Sequence, residues 1–390
     1  MRKRFLGRRS FTWIGVLALL AVLGYLGADM VYRKMNERIY QPRLAWAEAL
    51  MEREKEWIFA NQGEDGEIYM NGEEAGNVNP YFSCQAALGL LQGTKERPAA
   101  ERELSAAGRY LNWHTKVLLD SDGAVGIYEK KGDSFVRTDK GDSVDAYLGT
   151  YLELLGKYLL TAGSVEGLDS WEEGILAAVG ALESLLEDGL TRVSAENDTK
   201  YLMDNLEVWR GLAALEEGLD AISTTTGEAL AVCGRIEKLR RILEERITEA
   251  FWVESVGRWR VMEGDERFSE GSFYLDEFYP DGVAQIYPLI YGFPVEDWKA
   301  QKELYRDFTE AFRWEVIEEN TSEFVWTMVG MGAAKAGDVE RLEDFLENYE
   351  KAFASKRDYP LYTGEAGWVC RECEWYCRYC LKKIEGHLLF

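Results

Sequence analysis

The chain has 390 residues, and 47% of them are hydrophobic, which is enough apolar material for one large buried core. Its formal net charge is −24, from 69 acidic and 45 basic side chains. Such a surface repels polyanions, so the composition argues against a nucleic-acid partner. A polyuronate or phosphate-rich substrate is likewise disfavoured relative to a neutral or cationic one.

The first thirty residues have the features of a membrane anchor. Basic side chains at positions 2, 3, 4, 8 and 9 precede an uncharged, mostly apolar run over residues 10–28, about the length that spans a bilayer core. This pattern predicts a cytoplasmic tail at 1–9, a transmembrane signal anchor at 10–30, and a single-pass protein of the cell membrane whose main domain is extracytoplasmic. A cleaved signal peptide is the alternative, since Leu26, Gly27 and Ala28 form a weak cleavage context.

Two kinds of helix alternate along the rest of the chain. Charged, amphipathic helices are predicted at residues 42–62, 100–119, 169–186, 227–251, 295–316 and 338–355. Helices rich in glycine, alanine and aromatic residues are predicted at 81–91, 142–160, 204–219, 281–291, 322–336 and 363–384. Because solvent-facing ridges carry charge, the first set is predicted to lie outside the second.

This alternation predicts an all-α fold, an (α/α)6 toroid of twelve helices in six pairs over residues 40–390. No Pro-rich or low-complexity linker divides that stretch, which favours one compact domain. The unequal spacing of the pairs fits two-helix repeats with loop insertions. Two insertions, within residues 120–141 and 252–280, are predicted to contain small β-hairpins.

The alternation and three stretches resemble the six-hairpin, or (α/α)6-toroid, glycosidase superfamily over nearly all of residues 40–390. The stretches are GDSVDAYLGTYLELL at 141–155, YLMDNLEVWRGL at 201–212 and FYPDGVAQIYPLIYG at 278–292. The first is similar to the second-repeat helix of the family 8 glycoside hydrolases, where an acidic residue points into the sugar cleft. Where such enzymes present a glutamate on the first inner helix as general acid, this chain has Ser83 and Cys84. The resemblance therefore implies a fold and a carbohydrate substrate, and its catalytic assignment does not carry over whole.

Glycoside cleavage requires one carboxyl group to protonate the leaving oxygen and another to act as base or nucleophile. A toroid gathers such groups at the starts of its inner helices, where this chain has Asp142, Asp145, Asp204, Glu207, Asp281, Glu323 and Glu365. We predict that Asp145 and Glu207 are the acid and base pair, in an order left open, and that Asp142 and Asp204 position the sugar or the attacking water. Asp65 and Glu67 are reserve candidates. The alternative for each group is a helix cap.

Aromatic side chains near the same helix starts are predicted to bind sugar rings, which stack on aromatic faces. They are Tyr81, Tyr147, Tyr201, Trp209, Tyr279, Trp326 and Trp368, and we add Asp281 and Glu365 as polar substrate contacts. The alternative for each ring is ordinary core packing.

Cysteine and histidine contribute little to the predicted chemistry. Cys370, Cys373, Cys377 and Cys380 form two CxxC pairs, yet one continuous helix spreads the four thiols over about 15 Å, too far for one tetrahedral metal ion. Core or interface cysteines are the preferred interpretation, with metal binding or disulfides as alternatives. The only histidines are His114 and His387. A Ser-His-Asp or Cys-His mechanism, which requires a suitably placed histidine, is therefore disfavoured. No metal or cofactor is assigned.

These features predict a membrane-anchored, extracytoplasmic glycoside hydrolase-like enzyme that cleaves a cell-surface or exopolysaccharide chain with paired carboxylates. The alternative is a toroid that binds a polysaccharide or oligosaccharide without cutting it, as a subunit of polysaccharide synthesis or export machinery. The missing glutamate on the first inner helix favours that alternative. Lyases, epimerases and zinc-dependent cyclases are a third class, although the first two generally use His or Tyr bases and histidine is scarce here.

Overall fold

The structure is a computed structural model that describes residues 6–387 with gaps. The gaps are residues 72–75, 94–97, 139, 142, 164–167, 227–231, 268–274, 276, 296, 318–324, 354–355 and 358–360, and the side chains of 6–19, 168–170 and 223–226 are also outside the description. Two predicted site residues, Asp142 and Glu323, lie outside the described residues.

Twelve α-helices make up most of the described chain, and they confirm the all-α prediction. They are α1 (Leu6–Ala60), α2 (Pro80–Leu90), α3 (Glu101–Asp120), α4 (Val144–Ala162), α5 (Leu168–Leu185), α6 (Leu202–Thr226), α7 (Cys233–Phe251), α8 (Val283–Tyr291), α9 (Trp298–Ala311), α10 (Val329–Ala336), α11 (Val339–Phe353) and α12 (Thr363–Glu385). A short π-helical segment, Phe278–Gly282, precedes α8. Most helix starts and ends lie within a few residues of the prediction.

The chain forms two compact units, and the smaller one contains Met1–Ala49 and Cys373–Phe390. Within this unit, Asn36 donates a side-chain hydrogen bond to the carbonyl oxygen of Lys383 over 2.9 Å. Nδ1 of His387 lies 3.1 Å from the carboxylate of Asp29. Both contacts join the end of the chain to α1 within this unit.

The predicted membrane anchor, residues 10–30, falls within α1. In the part of the chain that the structure describes, we find no helix that is both long and apolar enough to cross a bilayer. The anchor therefore stays a prediction.

In the larger unit, Leu50–Glu372, the inner helices are joined in a ring, to which α12 contributes its residues up to Glu372. Contacts join α2 to α4, α4 to α6, α6 to α8, and α8 to α10. The ring continues where α12 receives a hydrogen bond from the segment that leads into α10, and it closes where Gly367 of α12 meets Gly89 of α2. In a ring of six, α6 and α12 stand three places apart and so face each other.

Close backbone contact between α4 and α6 depends on glycine. A side chain at Gly211 would overlap the carbonyl oxygen of Gly149, and one at Gly149 would lie 2.8 Å from the backbone of Glu207. Real Cβ atoms essentially never approach backbone so closely, so neither position tolerates a larger residue without a shift of the helices. This contact sets the position of Glu207 relative to α4.

The strands form small insertions, as predicted. One sheet contains β1 (Asn77–Val78), β2 (Tyr128–Lys131) and β3 (Ser134–Arg137), and two hairpins pair β4 (Leu186–Glu187) with β5 (Leu190–Thr191) and β6 (Trp252–Val253) with β7 (Arg258–Trp259). All neighbouring strands are antiparallel. The sequence predicts the β2–β3 and β6–β7 hairpins but not β4–β5, which begins at the last residue of a predicted helix.

The four cysteines of α12 are buried, and they are thiols rather than disulfides among the described residues. Their burial agrees with the interpretation of Cys370, Cys373, Cys377 and Cys380 as core side chains. The described residues also contain no cluster of His, Cys, Asp or Glu that could hold a metal ion.

Candidate active site

A cavity of about 310 Å³ opens at the N-terminal ends of the inner helices, and its lining comes from five of them and from Trp326 and Met328, in the segment that leads into α10. Eight of the predicted site residues line it, and the side chains are Tyr81, Tyr147, Asp204, Glu207, Tyr279, Trp326, Glu365 and Trp368. The structure thus brings together groups that are up to 287 positions apart, from Tyr81 to Trp368. Their individual roles stay predictions.

Asp145 does not line this cavity, although it belongs to the predicted acid–base pair. Its side chain is completely buried, where Oδ2 accepts a 2.8 Å hydrogen bond from the hydroxyl of Thr191 in β5 and Oδ1 accepts one from the Ala146 N–H. Burial, and to a smaller extent the Glu207 charge, raises the pKa of Asp145 to about 7. This placement favours a supporting role behind Glu207 over direct contact with a substrate.

Three other predicted substrate contacts also lie outside the lining. The Trp209 indole donates to Glu244 on α7 over 3.2 Å, and Asp281 accepts a 2.8 Å hydrogen bond from Arg267. Tyr201 forms a β-bridge with Met262. Each residue is at or near the start of an inner helix, as predicted, but its contacts are made with the outer layer or a loop. The reserve candidate Glu67 is similar, since its Oε1 accepts a hydrogen bond from Tyr69 over 2.7 Å.

The carboxyl group of Glu207 is held in the cavity by hydrogen bonds from three tyrosine side chains. Its Oε1 accepts hydrogen bonds from three tyrosine hydroxyls, at 2.8 Å from Tyr81, 2.7 Å from Tyr287 and 3.2 Å from Tyr291. Burial and the negative charge of Asp204 raise its pKa to about 8, although the tyrosine hydrogen bonds oppose that shift. A carboxyl group in this environment holds its proton at neutral pH, as a general acid must.

Glu365 stands in the first turn of α12, on the far side of the ring from Glu207. Its Oε2 accepts a 2.7 Å hydrogen bond from the Thr327 N–H. Burial raises its pKa to about 7, which is lower than that of Glu207. The cavity therefore has two carboxyl groups on opposing helices, and burial raises the pKa of both.

Aromatic rings form the mouth of the cavity. Tyr279 is 48% exposed, and its ring centroid lies 4.5 Å from that of Trp326 at an interplanar angle of 34°. Trp326 has a φ of 58°, a conformation that bulky residues rarely adopt and that tends to occur at functional sites. The exposed ring of Tyr279, packed on the buried ring of Trp326, offers a face on which a sugar can stack.

Sequence reasoning missed Gln85 and Tyr287, two polar residues of the lining. The prediction considered carboxyl groups and selected aromatic rings, so a glutamine was not among its candidates, and Tyr287 was not one of the rings selected. The available signal was spacing, because Gln85 follows Tyr81 by four positions and the two share one helix face. Ser83, at the position of the missing glutamate, instead donates to the carbonyl oxygen of Ile68 over 2.6 Å.

A buried cysteine and histidine lie beside each other but do not form a reactive pair. Cys84 Sγ is 3.5 Å from Nδ1 of His114. Burial raises the pKa of the Cys84 thiol to about 12 and lowers that of His114 to about 3. Since the thiolate is the nucleophile, a neutral thiol beside a neutral imidazole is a structural contact.

Glu372 is a further carboxyl group in the inner ring, and it is completely buried. The described residues offer neither of its oxygens a well-formed hydrogen bond, and a side chain at Gly330 would collide with it. Burial, followed by the charge of Glu365, holds its pKa well above the ordinary value, and the Met331 N–H and Arg371 offset this only in part. The folded protein therefore favours the protonated form of Glu372.

The Glu372→Gln variant is expected to lose less stability than the wild type as the pH rises. The pKa of Glu372 is higher in the folded than in the unfolded chain, so the unfolding free energy falls above about pH 4.5, by up to about 1.4 kcal/mol for each pH unit. Glutamine cannot ionise, so the variant should match the wild type at about pH 5 and unfold at a higher urea concentration at about pH 8. The exposed Glu173→Gln variant is the control, and an equal pH dependence of wild type and Glu372→Gln would contradict the assignment.

Comparison with known proteins identifies structures with a similar fold but no specific family. No family model matches the chain, and no curated protein is similar to it in sequence. Solved structures with a similar fold include a glycosidase in complex with glucose, with a TM-score of 0.55, 13% identity, and coverage of 88% of this chain and 98% of that one.

Two further structures extend this result. A rhamnosidase from Klebsiella oxytoca with rhamnose bound has a TM-score of 0.51 and 11% identity over 80% of this chain and 60% of its own. An uncharacterized conserved protein from Thermus thermophilus has a TM-score of 0.51 and 14% identity over 83% of this chain and 99% of its own. The predicted resemblance to the six-hairpin glycosidase toroids is therefore confirmed at the level of the fold.

Proposed function

We propose that this protein is a glycoside hydrolase in which Glu207 is the general acid and Glu365 the general base. The observation that carries the proposal is the cavity in which carboxyl groups from opposing inner helices meet a lining rich in aromatic rings. Two carboxyl groups on either side of a bound sugar are what glycosidic cleavage requires. The glycosidase-like fold adds support.

The hydrogen bonds of Glu207 indicate which of its oxygens carries the proton. Three tyrosine hydroxyls donate to Oε1, which suits a carbonyl oxygen and leaves Oε2 for the proton. Oε2 is then the atom that would protonate the glycosidic oxygen. Asp204, on the same face of α6, keeps that proton in place because its charge raises the pKa of Glu207.

Glu365 has the complementary task of removing a proton from water. Its Oε2 is occupied by the Thr327 N–H, so Oε1 is the oxygen available to a water molecule between the carboxylate and the sugar. The backbone hydrogen bond also fixes the direction of the carboxylate. This division of roles departs from the sequence-based pair, because Glu365 replaces Asp145.

The substrate that we propose is the end of a glycan chain or a short saccharide. A volume of about 310 Å³ is at the lower end of the range for ligand pockets, and it suits a few sugar rings better than a long stretch of polymer. A cell-surface or exopolysaccharide chain could present such an end. The basic residues before the apolar run at 10–28 support a membrane-anchored protein with its toroid outside the cytoplasm.

The test is the pH dependence of sugar release by the full-length protein from neutral oligosaccharides. We expect kcat/KM to rise with pH as Glu365 ionises near pH 7 and to fall as Glu207 loses its proton near pH 8. Binding of oligosaccharides without any release would reject the hydrolase and favour the alternative, a glycan-binding subunit of polysaccharide synthesis or export machinery. The presence of Ser83 and Cys84, in place of a glutamate, on the first inner helix is the observation that favours this alternative.

A further inference from the structure

Gln85 on α2 lines the cavity, and the nitrogen of its buried side-chain amide has no hydrogen-bond partner among the described residues. The residue lines the cavity and is only 1% exposed, and its Nε2 lacks a hydrogen-bond acceptor among the described residues. A buried donor without an acceptor costs free energy in the empty protein. A ligand oxygen in the cavity would supply the missing acceptor.

Arg371 determines which way this amide faces. Its guanidinium donates to Oε1 of Gln85 over 3.0 Å, and because arginine can only donate, the oxygen must be the atom that faces it. The nitrogen is therefore the atom left for a ligand. Arg371 is itself fixed by a 2.9 Å hydrogen bond to Glu153 and by stacking 3.8 Å from the centre of the Trp368 ring.

The described lining of the cavity contains no positively charged side chain that could pair with an anionic sugar. That lining includes three carboxyl groups, those of Asp204, Glu207 and Glu365, but no lysine or arginine. Arg371 touches the lining residues from outside, and its charge is engaged by Glu153. A uronate or a sugar phosphate would therefore be desolvated beside carboxyl groups without a compensating cation.

We infer that Gln85 is a specificity-determining residue that donates a hydrogen bond from Nε2 to an oxygen of an uncharged sugar. Arg371 is the positioning residue that holds its amide in that orientation. This inference rests on the proposed use of the cavity for sugars, but it concerns binding and not cleavage. The lining selects sugars without carboxylate or phosphate groups.

The test is the Gln85→Glu variant of the full-length protein, measured by calorimetric titration at about pH 7.5, where the Arg371 guanidinium, 3.0 Å from this side chain, favours the ionised form of a glutamate. The probes are glucose, mannose, rhamnose and N-acetylglucosamine, with glucuronate and glucose 6-phosphate as anionic counterparts. A glutamate at this position still accepts the Arg371 hydrogen bond but lacks the N–H donor. A merely structural role would therefore be preserved, and the proposed contact with the sugar would be lost.

We expect the wild type to bind at least one of the neutral sugars, and to bind the anionic ones at least about tenfold more weakly. Gln85→Glu should weaken the neutral sugar by about tenfold or more with the melting temperature unchanged. The matched control is Arg210→Gln, since Arg210 also approaches Glu153, at 3.8 Å, but does not line the cavity. It should bind sugar as the wild type does.

Two results would overturn the inference: equal affinity of Gln85→Glu and wild type for the neutral sugar, or affinity for the anionic sugars that equals that for the neutral ones. Failure of the hydrolase proposal is distinguishable from both. If a neutral sugar binds through Gln85 but no glycoside of that sugar is cleaved, the hydrolase proposal is rejected and the inference about Gln85 is supported.

Discussion

The Glu365→Gln variant is expected to lower kcat/KM for glycoside cleavage by roughly 10²- to 10⁴-fold, the range typical for the loss of a general acid or base. Glutamine can still accept the hydrogen bond from the Thr327 N–H through its carbonyl oxygen, so the fold should be kept. It cannot take a proton from water. Release of reducing sugar from neutral oligosaccharides is the measurement, and the melting temperature reports on folding.

Asp145→Asn is the matched comparison for Glu365→Gln. Asp145 is buried and bound by Thr191 outside the cavity lining, so its variant should retain far more activity than Glu365→Gln does. If Asp145→Asn removed cleavage and Glu365→Gln did not, the sequence-based pair of Asp145 and Glu207 would be right and our choice of base would be wrong.

The Gly211→Ala variant is expected to lose about 3 kcal/mol of unfolding free energy, the upper end of the cost of overpacking. The added methyl group would overlap the carbonyl oxygen of Gly149, and two helix backbones cannot separate there without disturbing the inner ring. Urea denaturation followed by circular dichroism measures the effect. Sugar affinity should fall as well, because Glu207 lies one turn from this contact on α6.

Gly180→Ala on α5 is the control for this substitution. The nearest atom to an added methyl group there is a side-chain nitrogen of Arg235 at 3.8 Å, which is ordinary contact. Alanine is a better helix former than glycine, so this variant should be more stable by about 0.5 to 1 kcal/mol. A stability of Gly211→Ala equal to or above that of the wild type would show that α4 and α6 are not held together by backbone contact.

The helices and their division into two layers could be predicted from the sequence because both are local properties. The 3.6-residue period of apolar side chains and the presence or absence of charge on the opposite face are set within each segment. The prediction of helices at 100–119 and 363–384 therefore differs little from Glu101–Asp120 and Thr363–Glu385. Grouping carboxyl groups at inner-helix starts likewise needed only the fold class.

The direction of each side chain was decided by tertiary structure. Successive residues of a helix point about 100° apart, so Asp145 and Glu365 could both be placed at helix starts from sequence, yet only Glu365 lines the cavity. Asp145 instead faces Thr191 in β5, a strand that no local pattern predicted.

The amide of Gln85 is a second case, because Arg371, 286 positions away, sets its orientation. Sequence by itself determined which segments are helical and which of them are inner, since those properties depend on neighbours in the chain. Tertiary structure determined which side chains share the cavity, since packing between distant helices sets the rotation of each helix about its own axis.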